Sequence, residues 1–372
     1  MTTARQLFST ITDDHRLVLS VEPVDLPEPG EDEVIVELSA APINPSDLAL
    51  ILGPADMSTA RQEAVDGRPA LVADVLPAYR RAVAGRVGKK LPAGNEGAGV
   101  VVAAGASAQA LLGKTVSLVG GEMFATHRRI KAHQAIPLPE GASAVEGAAL
   151  FVNPMTAQGF LNTMRLEGHT AMVHTAAASN LGQMLAKLCV QEDVPLVAIV
   201  RKPEQVALLQ ELGLTHVVNS SSESFFKDLI AAIAATGATL GFDAIGGGDM
   251  ANTILRAMEA ALIHNGEQAT IYGTAVHKQV YIYGRLDTGR TELTPGYGMY
   301  WGVGGWLLMP HLQRVGRERT AQMRQYTVDE RNGVFASQYT RTISLDDMLD
   351  PDVARAYDRK ATGEKYLVDA TR

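Results

Sequence analysis

Residues 174–183 read HTAAASNLGQ, and the fold turns on how they are read. A dinucleotide-binding turn usually has the form G-x-G-x-x-G. Only Gly182 remains of the three glycines, with Ala177 and Ser179 in the other two places. The stretch joins an apolar strand-like run, TAMVHTA, to a helix-like run, LGQMLAKLCVQED. A strand feeding a helix through small residues offers an anion the unpaired N–H groups and the positive dipole end of that helix. Alanine and serine are the next smallest residues after glycine, and the Ser179 hydroxyl and Asn180 amide add donors. Ser179, Asn180, Leu181 and Gly182 are therefore the candidate phosphate-binding residues. A plain small-residue turn would give the same string, so a second signal is needed.

Arg201 supplies it. It lies 19 residues after Gly182, directly behind the apolar run PLVAIV. Chains that bind NAD usually place an acid near this position for the ribose 2′-hydroxyl, whereas NADP binders place a cation for the 2′-phosphate. Arg201 and Lys202 stand here with no acid at the strand end, so NADPH is the expected cofactor. The alternative is a solvated charge pair at a helix start.

Outward from this loop, short apolar runs alternate with helical patterns. PLVAIV, THVVNS and ATLGFDAIGG read as strands, separated by PEQVALLQELG and ESFFKDLIAAIAATG as helices. Such alternation predicts a parallel sheet of βαβ units. ATIYGTAV and QVYIYGRLD compete for the fifth strand, and YWGVGGWLLM supplies a sixth. Gly246, Gly247 and Gly248 end the fourth, where a ligand approaches a doubly wound sheet, or where the chain simply turns. Before residue 150 the period is two instead: RLVLSVEPV, DEVIVELSAAPI and GNEGAGVVVAAG alternate as antiparallel strands do. VFASQYTRTIS resumes that pattern, so this domain is expected to be discontinuous. The expected division is 1–150 with 334–372, and 151–333.

Residues 53–93 differ in character. STARQEAVDG and VLPAYRRAVAGRVGKK read as polar, helix-prone segments, predicting a helical insert. Arg61, Arg68, Arg80, Arg81, Arg86, Lys89 and Lys90 outnumber its acids, although the chain has 41 acids against 33 bases.

At 372 residues, two domains are the natural expectation. The net charge of −8 and the lack of a basic tract give no support to nucleic acid or a membrane surface as partner. No apolar run approaches the ~20 residues of a membrane span. The N-terminus carries acids where a secretion signal would be apolar, and a cytoplasmic location is expected. The single cysteine, Cys189, excludes an internal disulfide and any cysteine cluster for a metal.

INPSDL, GNEGAGVVVAAG, FVNPMTAQGFL, HTAAASNLGQ, FDAIGGG and ATGEKYL occur in an order that resembles the medium-chain dehydrogenase/reductases, in particular the branch of quinone oxidoreductases and enoyl thioester reductases. The resemblance covers most of the chain outside 53–93. It implies an α/β protein with a GroES-like β-rich catalytic domain and a Rossmann domain, a doubly wound parallel sheet. It further implies NADPH with its nicotinamide in the cleft between the two, and a homodimer formed through the Rossmann sheets. The zinc enzymes of this family keep a Cys near the INPSD position and a His before the Glu of GNEGAG. Asn44 and Asn95 stand there instead, so no metal is expected.

Without a metal, hydride delivery to an electron-poor small molecule is the chemistry that remains, with the protein supplying orientation. The resemblance places Asn44 near the nicotinamide, where the residue's other reading is a turn Asn capping a helix. Thr156 would bond the cofactor or its own backbone, and Lys365 would lie near the cofactor or at the surface. Enoyl thioester reductases carry a proton-delivering tyrosine a few residues after INPSD, where residues 53–55 have none; Tyr79, on the insert, is the candidate replacement. A quinone is therefore the expected acceptor. The alternatives are reduction of an activated C=C bond, in an enone or enoyl thioester, and a non-catalytic NADPH-binding sensor.

Overall fold

The computed structural model describes residues 2–359 and 364–372. The chain forms two units: one runs to Val152 and resumes at Thr327, and the other is Asn153–Tyr326. The division read from sequence put its boundaries after residue 150 and before residue 334.

In the first unit, β1 (Thr2–Ile11) and β2 (Arg16–Leu26) pair antiparallel, and β3 (Glu33–Pro42) belongs to a second sheet. The short helix α1 (Pro45–Ile51) follows, with Pro45 pre-set for its first turn. The alternation read from sequence has its cause in the core between the sheets. Leu7, Leu19, Val36, Leu38, Leu71 and Phe124 are buried together there, each leucine contributing roughly 2 kcal/mol of burial.

The insert is not helical where most of it was expected to be. Its first half is a hairpin of β4 (Ala55–Val65) and β5 (Arg68–Val75), which adds to β2 and completes a five-stranded sheet. Asp66 and Gly67 form its tip with φ of 51° and 75°, the left-handed pair that an Asp-Gly hairpin turn requires. That dipeptide outweighs the polar, helix-prone composition around it. Helical turns appear only within residues 77–86. A register shift interrupts β4 between Asp56 and Arg61. The Arg355 guanidinium covers it, donating to the carbonyls of Met57 and Ala60 at 3.0 and 2.7 Å. Part of the basic excess is consumed as well. Lys90 bonds Glu22, and Arg86 donates to the Leu50 carbonyl and the Ser9 hydroxyl.

The second unit carries a six-stranded, wholly parallel sheet. Its spatial order is His216–Asn219, Leu196–Val200, Met172–His174, Leu240–Asp243, Lys278–Ile282 and Trp301–Gly305. In chain order this is 3-2-1-4-5-6, the doubly wound arrangement. The fifth strand is therefore taken from QVYIYGRLD, and ATIYGTAV lies in the connection before it. Leu196–Val200 is buried at every position, as a strand covered on both faces must be. Lys278 is fully buried at the start of the fifth strand. Its ammonium meets Glu259 at 2.7 Å and donates to the Thr274 hydroxyl and the Val276 carbonyl. All three of its protons are thereby used. The helix Leu308–Asp329 breaks at Gly316, where φ is 83°.

Candidate functional site

In the second unit, Ser179 caps the helix Asn180–Gln191. Its hydroxyl accepts from Gly182 N at 3.1 Å, which leaves its own proton available to a ligand. A Cβ on Gly182 would stand 2.1 Å from the Ala177 carbonyl oxygen. This is the one glycine of the fingerprint that the turn cannot lose. Ala177 and Ala178 are buried beneath the loop, and Ala176 adopts φ of 50° to make the turn. Leu181 lies in the first turn of the helix, where backbone N–H groups lack intrahelical acceptors.

Arg201 is exposed immediately after the second strand. Gln205 folds back so that its Oε1 accepts Arg201 N and Lys202 N, at 3.0 and 3.2 Å. That occupies backbone donors an anion would otherwise use, and leaves recognition to the side chains. Lys202 leans towards Glu204, 3.7 Å away. Ser220 N donates to the Val200 carbonyl at 2.7 Å, bringing the turn after the third strand against this same end.

At the end of the fourth strand, the buried Asp243 accepts from Thr175 Oγ1 at 2.7 Å, from Ile245 N and from Gly246 N. Gly246–Gly248 pairs with Asp287–Thr291, and a Cβ on Gly247 would lie 2.6 Å from Asp287 Oδ1. Close approach of that neighbouring segment is thus one reason for these glycines, which sequence alone does not show. Thr156 is buried on the helix Val152–Leu166. Below the loop, His174 is fully buried with Nε2 2.7 Å from the Tyr283 hydroxyl. Burial holds its imidazole neutral, down to about 3, and pushes the Tyr283 phenol up.

The first unit holds a separate polar cluster. Asn44 precedes α1; its Nδ2 donates to Glu96 Oε1 at 2.8 Å and its backbone N to Asp47 Oδ2 at 2.8 Å. Glu96 Oε2 accepts from Phe151 N and Val152 N, both at 2.8 Å. Asp47 Oδ1 accepts from Asn95 N, and the Asn95 amide donates to Ser46 Oγ. Asn44 and Asn95, at the two places considered for zinc ligands, are thus amides already engaged in the local network. Lys365 is buried, 3.3 Å from the Ser337 hydroxyl and over the Tyr339 ring. Desolvation lowers its amine to about 8 against the pull of Glu96 and Asp47. Desolvation likewise raises Asp47 to about 7, with Glu96 adding repulsion, and raises Glu96. The surface reading of Lys365 is thus replaced by a buried one; Ala361, Thr362 and Gly363 of its motif lie outside the described residues. Tyr79 is half-buried and packs against the unit's core. Asp47, Glu96 and Tyr339 were missed from sequence, because an acid or a phenol declares its burial only once the sheets are assembled.

No protein-family model matches the chain. It is 28% identical over 211 residues to the mitochondrial enoyl-[acyl-carrier-protein] reductase of Xenopus tropicalis, covering 54% of this chain and 52% of that protein. To the synaptic vesicle membrane protein VAT-1 homolog of Homo sapiens it is 29% identical over 241 residues, covering 63% and 53%. A fungal highly reducing polyketide synthase matches at 34% over 140 residues, 36% of this chain and 5% of that one. The chain thus spans about half the length of the first two of these relatives and a small part of the third. Among solved structures, a Mesorhizobium loti protein named as an NADPH:quinone reductase superposes with a TM-score of 0.73 and 25% identity, covering 99% of this chain and all of that one. An enoyl thioester reductase from Candida tropicalis, in a mutant form, superposes at 0.67 and 18%, covering 99% and 100%. The parallel 3-2-1-4-5-6 sheet and the β-rich companion unit define a two-unit, Rossmann-containing protein. The chain is similar in sequence and fold to quinone reductases and enoyl reductases of the medium-chain dehydrogenase/reductase superfamily.

Proposed function

We propose that this protein is a zinc-independent, NADPH-dependent oxidoreductase acting on a small electrophilic molecule, with a quinone-type acceptor. The observation that carries the reading is the Ser179-capped turn at the end of the first strand, with exposed Arg201 at the end of the second. The residues fit the cofactor. Ser179, Asn180, Leu181 and Gly182 would receive the pyrophosphate, and Arg201 with Lys202 the 2′-phosphate. Thr156, Gly246 and Gly247 would lie along the ribose, and Asn44 and Lys365 remain candidates by resemblance alone. The bound cofactor supplies the hydride, and the chain's own residues hold and orient. With amides at positions 44 and 95, no residue there offers zinc a thiolate or an imidazole. Metal analysis of active protein tests that point, and stoichiometric zinc needed for turnover would refute it.

The relatives named as enoyl reductases favour a second reading, reduction of an activated C=C bond, in which Tyr79 would deliver the proton. NADPH consumption with an ortho-quinone and an enoyl thioester side by side separates the two. Faster loss with the quinone supports the first reading, and faster loss with the thioester transfers the assignment. Silence with both despite tight NADPH binding leaves a sensor.

A homodimer is part of the proposal. The sheet ends on the edge strand Trp301–Gly305, and Tyr272, Met299 and Tyr300 are exposed on the loops beside it. An open edge flanked by exposed apolar residues is a pairing template. Light scattering should give twice the 39.6 kDa chain mass, and Met299→Glu with Tyr300→Glu should return the monomer.

A further inference from the structure

Two helices of the second unit meet through faces of the same spacing. Gln158, Leu161, Asn162 and Arg165 share one face of Val152–Leu166. Arg319, Gln322, Met323 and Tyr326 share one face of Leu308–Asp329, beyond its break at Gly316. A helix face turned inward is ordinarily apolar, yet both of these are mostly polar. They do not close on each other. A cavity of about 290 Å³ remains between them, walled on its third side by Leu188 and Glu192 at the end of the helix Asn180–Gln191. All of its lining belongs to the second unit.

The floor of this cavity is apolar and its rim is charged. Leu161, Leu188 and Met323 are buried. Two buried amides tie the helices together above them: Asn162 Nδ2 donates to Met323 Sδ at 3.2 Å, and Gln158 Nε2 to the Met323 carbonyl at 3.1 Å. With its nitrogen so engaged, Asn162 turns Oδ1 to the Arg319 guanidinium, which donates to it at 3.0 Å. The other partner of Arg319 is Gln322 Oε1, at 3.3 Å. Both partners are neutral, and Arg319 forms no ion pair among the described residues. Of the five N–H groups of a guanidinium, three are left for a ligand. Across the rim, Arg165 meets Glu192 at 2.7 Å and the two charges cancel. The uncompensated charge of the lining is therefore that of Arg319, held in place by a fixed amide.

The cavity is separate from the Ser179 turn. At 1.5 Å per residue, Leu188 and Glu192 lie ~12 and ~18 Å along the helix from Asn180. They stand at the end opposite the one that would receive phosphate.

We propose that this cavity is a second ligand site, for a small organic carboxylate. The carboxylate meets the Arg319 fork, which it can bond through both oxygens, and the apolar body rests on Leu161, Leu188 and Met323. The volume lies at the lower end of the roughly 300–1,000 Å³ typical of small-molecule sites. The inference goes beyond the NADPH reading and does not depend on it.

The test is calorimetric titration of the full chain with benzoate, with benzamide, which keeps the shape without the charge, and with inorganic phosphate, which keeps a charge without the apolar body. Benzoate should bind at least tenfold more tightly than either. Arg319→Ala should weaken benzoate about tenfold or more and leave benzamide within about twofold, and because Arg319 is exposed its removal leaves the fold in place. Arg317→Ala, an exposed arginine of the same helix outside the lining, should change nothing. No benzoate binding, an affinity indifferent to Arg319→Ala, or an equal loss in Arg317→Ala overturns the site. Phosphate binding as tightly as benzoate overturns the ligand class. Saturating NADPH should leave benzoate affinity unchanged within about twofold; displacement would put benzoate in the cofactor turn instead and sink the proposal. A chain that binds no NADPH removes the proposed function, while the Arg319 and Arg317 comparison still decides this site.

Discussion

The carbonyl oxygen of Ala177 occupies the space that a side chain on Gly182 would need, 2.1 Å from where its Cβ would stand. The helix Asn180–Gln191 rests against the end of the first strand at this point. Gly182→Ala must push the helix start away from the turn, at a cost of ~1–3 kcal/mol. The melting temperature should fall by several degrees, and NADPH affinity by about tenfold or more as the Ser179–Gly182 geometry opens. A variant that melts and binds as the wild type does would show that the turn is not the phosphate cradle.

Arg201→Ala separates the two dinucleotides. A charge-assisted bond to phosphate is worth ~1.5–3 kcal/mol, or roughly 10- to 100-fold in affinity. NADPH should lose that much while NADH changes by no more than about twofold. Equal losses for both would remove the 2′-phosphate assignment.

Lys365 gives stability a definite dependence on pH. Its amine titrates at about 8 when folded, against an ordinary value of 10.5. Between these values the unfolded chain holds the proton and the folded chain does not, so folding stability rises with pH across that window. The gain is at most ~3 kcal/mol. Asp47, raised to about 7 from 3.8, works oppositely at lower pH, its contribution falling as pH climbs through that range. Urea titrations from pH 8 to 10 should show the rise in the wild type and a flatter profile in Lys365→Met. Parallel profiles would mean that the amine is not held below its ordinary value.

The Glu259–Lys278 pair is open to a double-mutant cycle. Lys278→Met strands a carboxylate that also accepts Thr274 N and Oγ1, and should cost ~3–5 kcal/mol. Adding Glu259→Leu should recover a large part of that loss. No recovery would show that the pair's value lies in holding the Thr274 connection and not in its charge.

How much of this was legible beforehand follows from what each signal depends on. The parallel sheet was readable because its strands are buried on both faces and appear as apolar runs such as PLVAIV. The antiparallel unit was readable because one face is wet. The hairpin Ala55–Val75 was missed: its outward residues are polar and its neighbours helix-prone, while the deciding signal, Asp66-Gly67, is only two residues long. At the candidate site, Ser179 and Arg201 stood out because their roles depend on local position. Asp47 and Glu96 did not, because their burial is created by a strand and a helix start some fifty residues apart in sequence. Lys278 was invisible for the same reason, since nothing local distinguishes a buried lysine from a solvated one.

The first unit is built from both ends of the chain, with a consequence for biosynthesis. The strand Tyr366–Val368 pairs with β3 through Leu367 and Val368 opposite Pro42 and Ala41. A ribosome delivers these partners more than three hundred residues apart. At ~5–20 residues per second, that is an interval of tens of seconds. Throughout it β3 waits with one flank unpaired, while the parallel sheet, contiguous in sequence, has all its strands and can close first. The emerging protein therefore passes through a stage with a finished nucleotide-binding half and an unfinished companion. At that stage it is most exposed to mispairing with another nascent chain, and most dependent on whatever shields it.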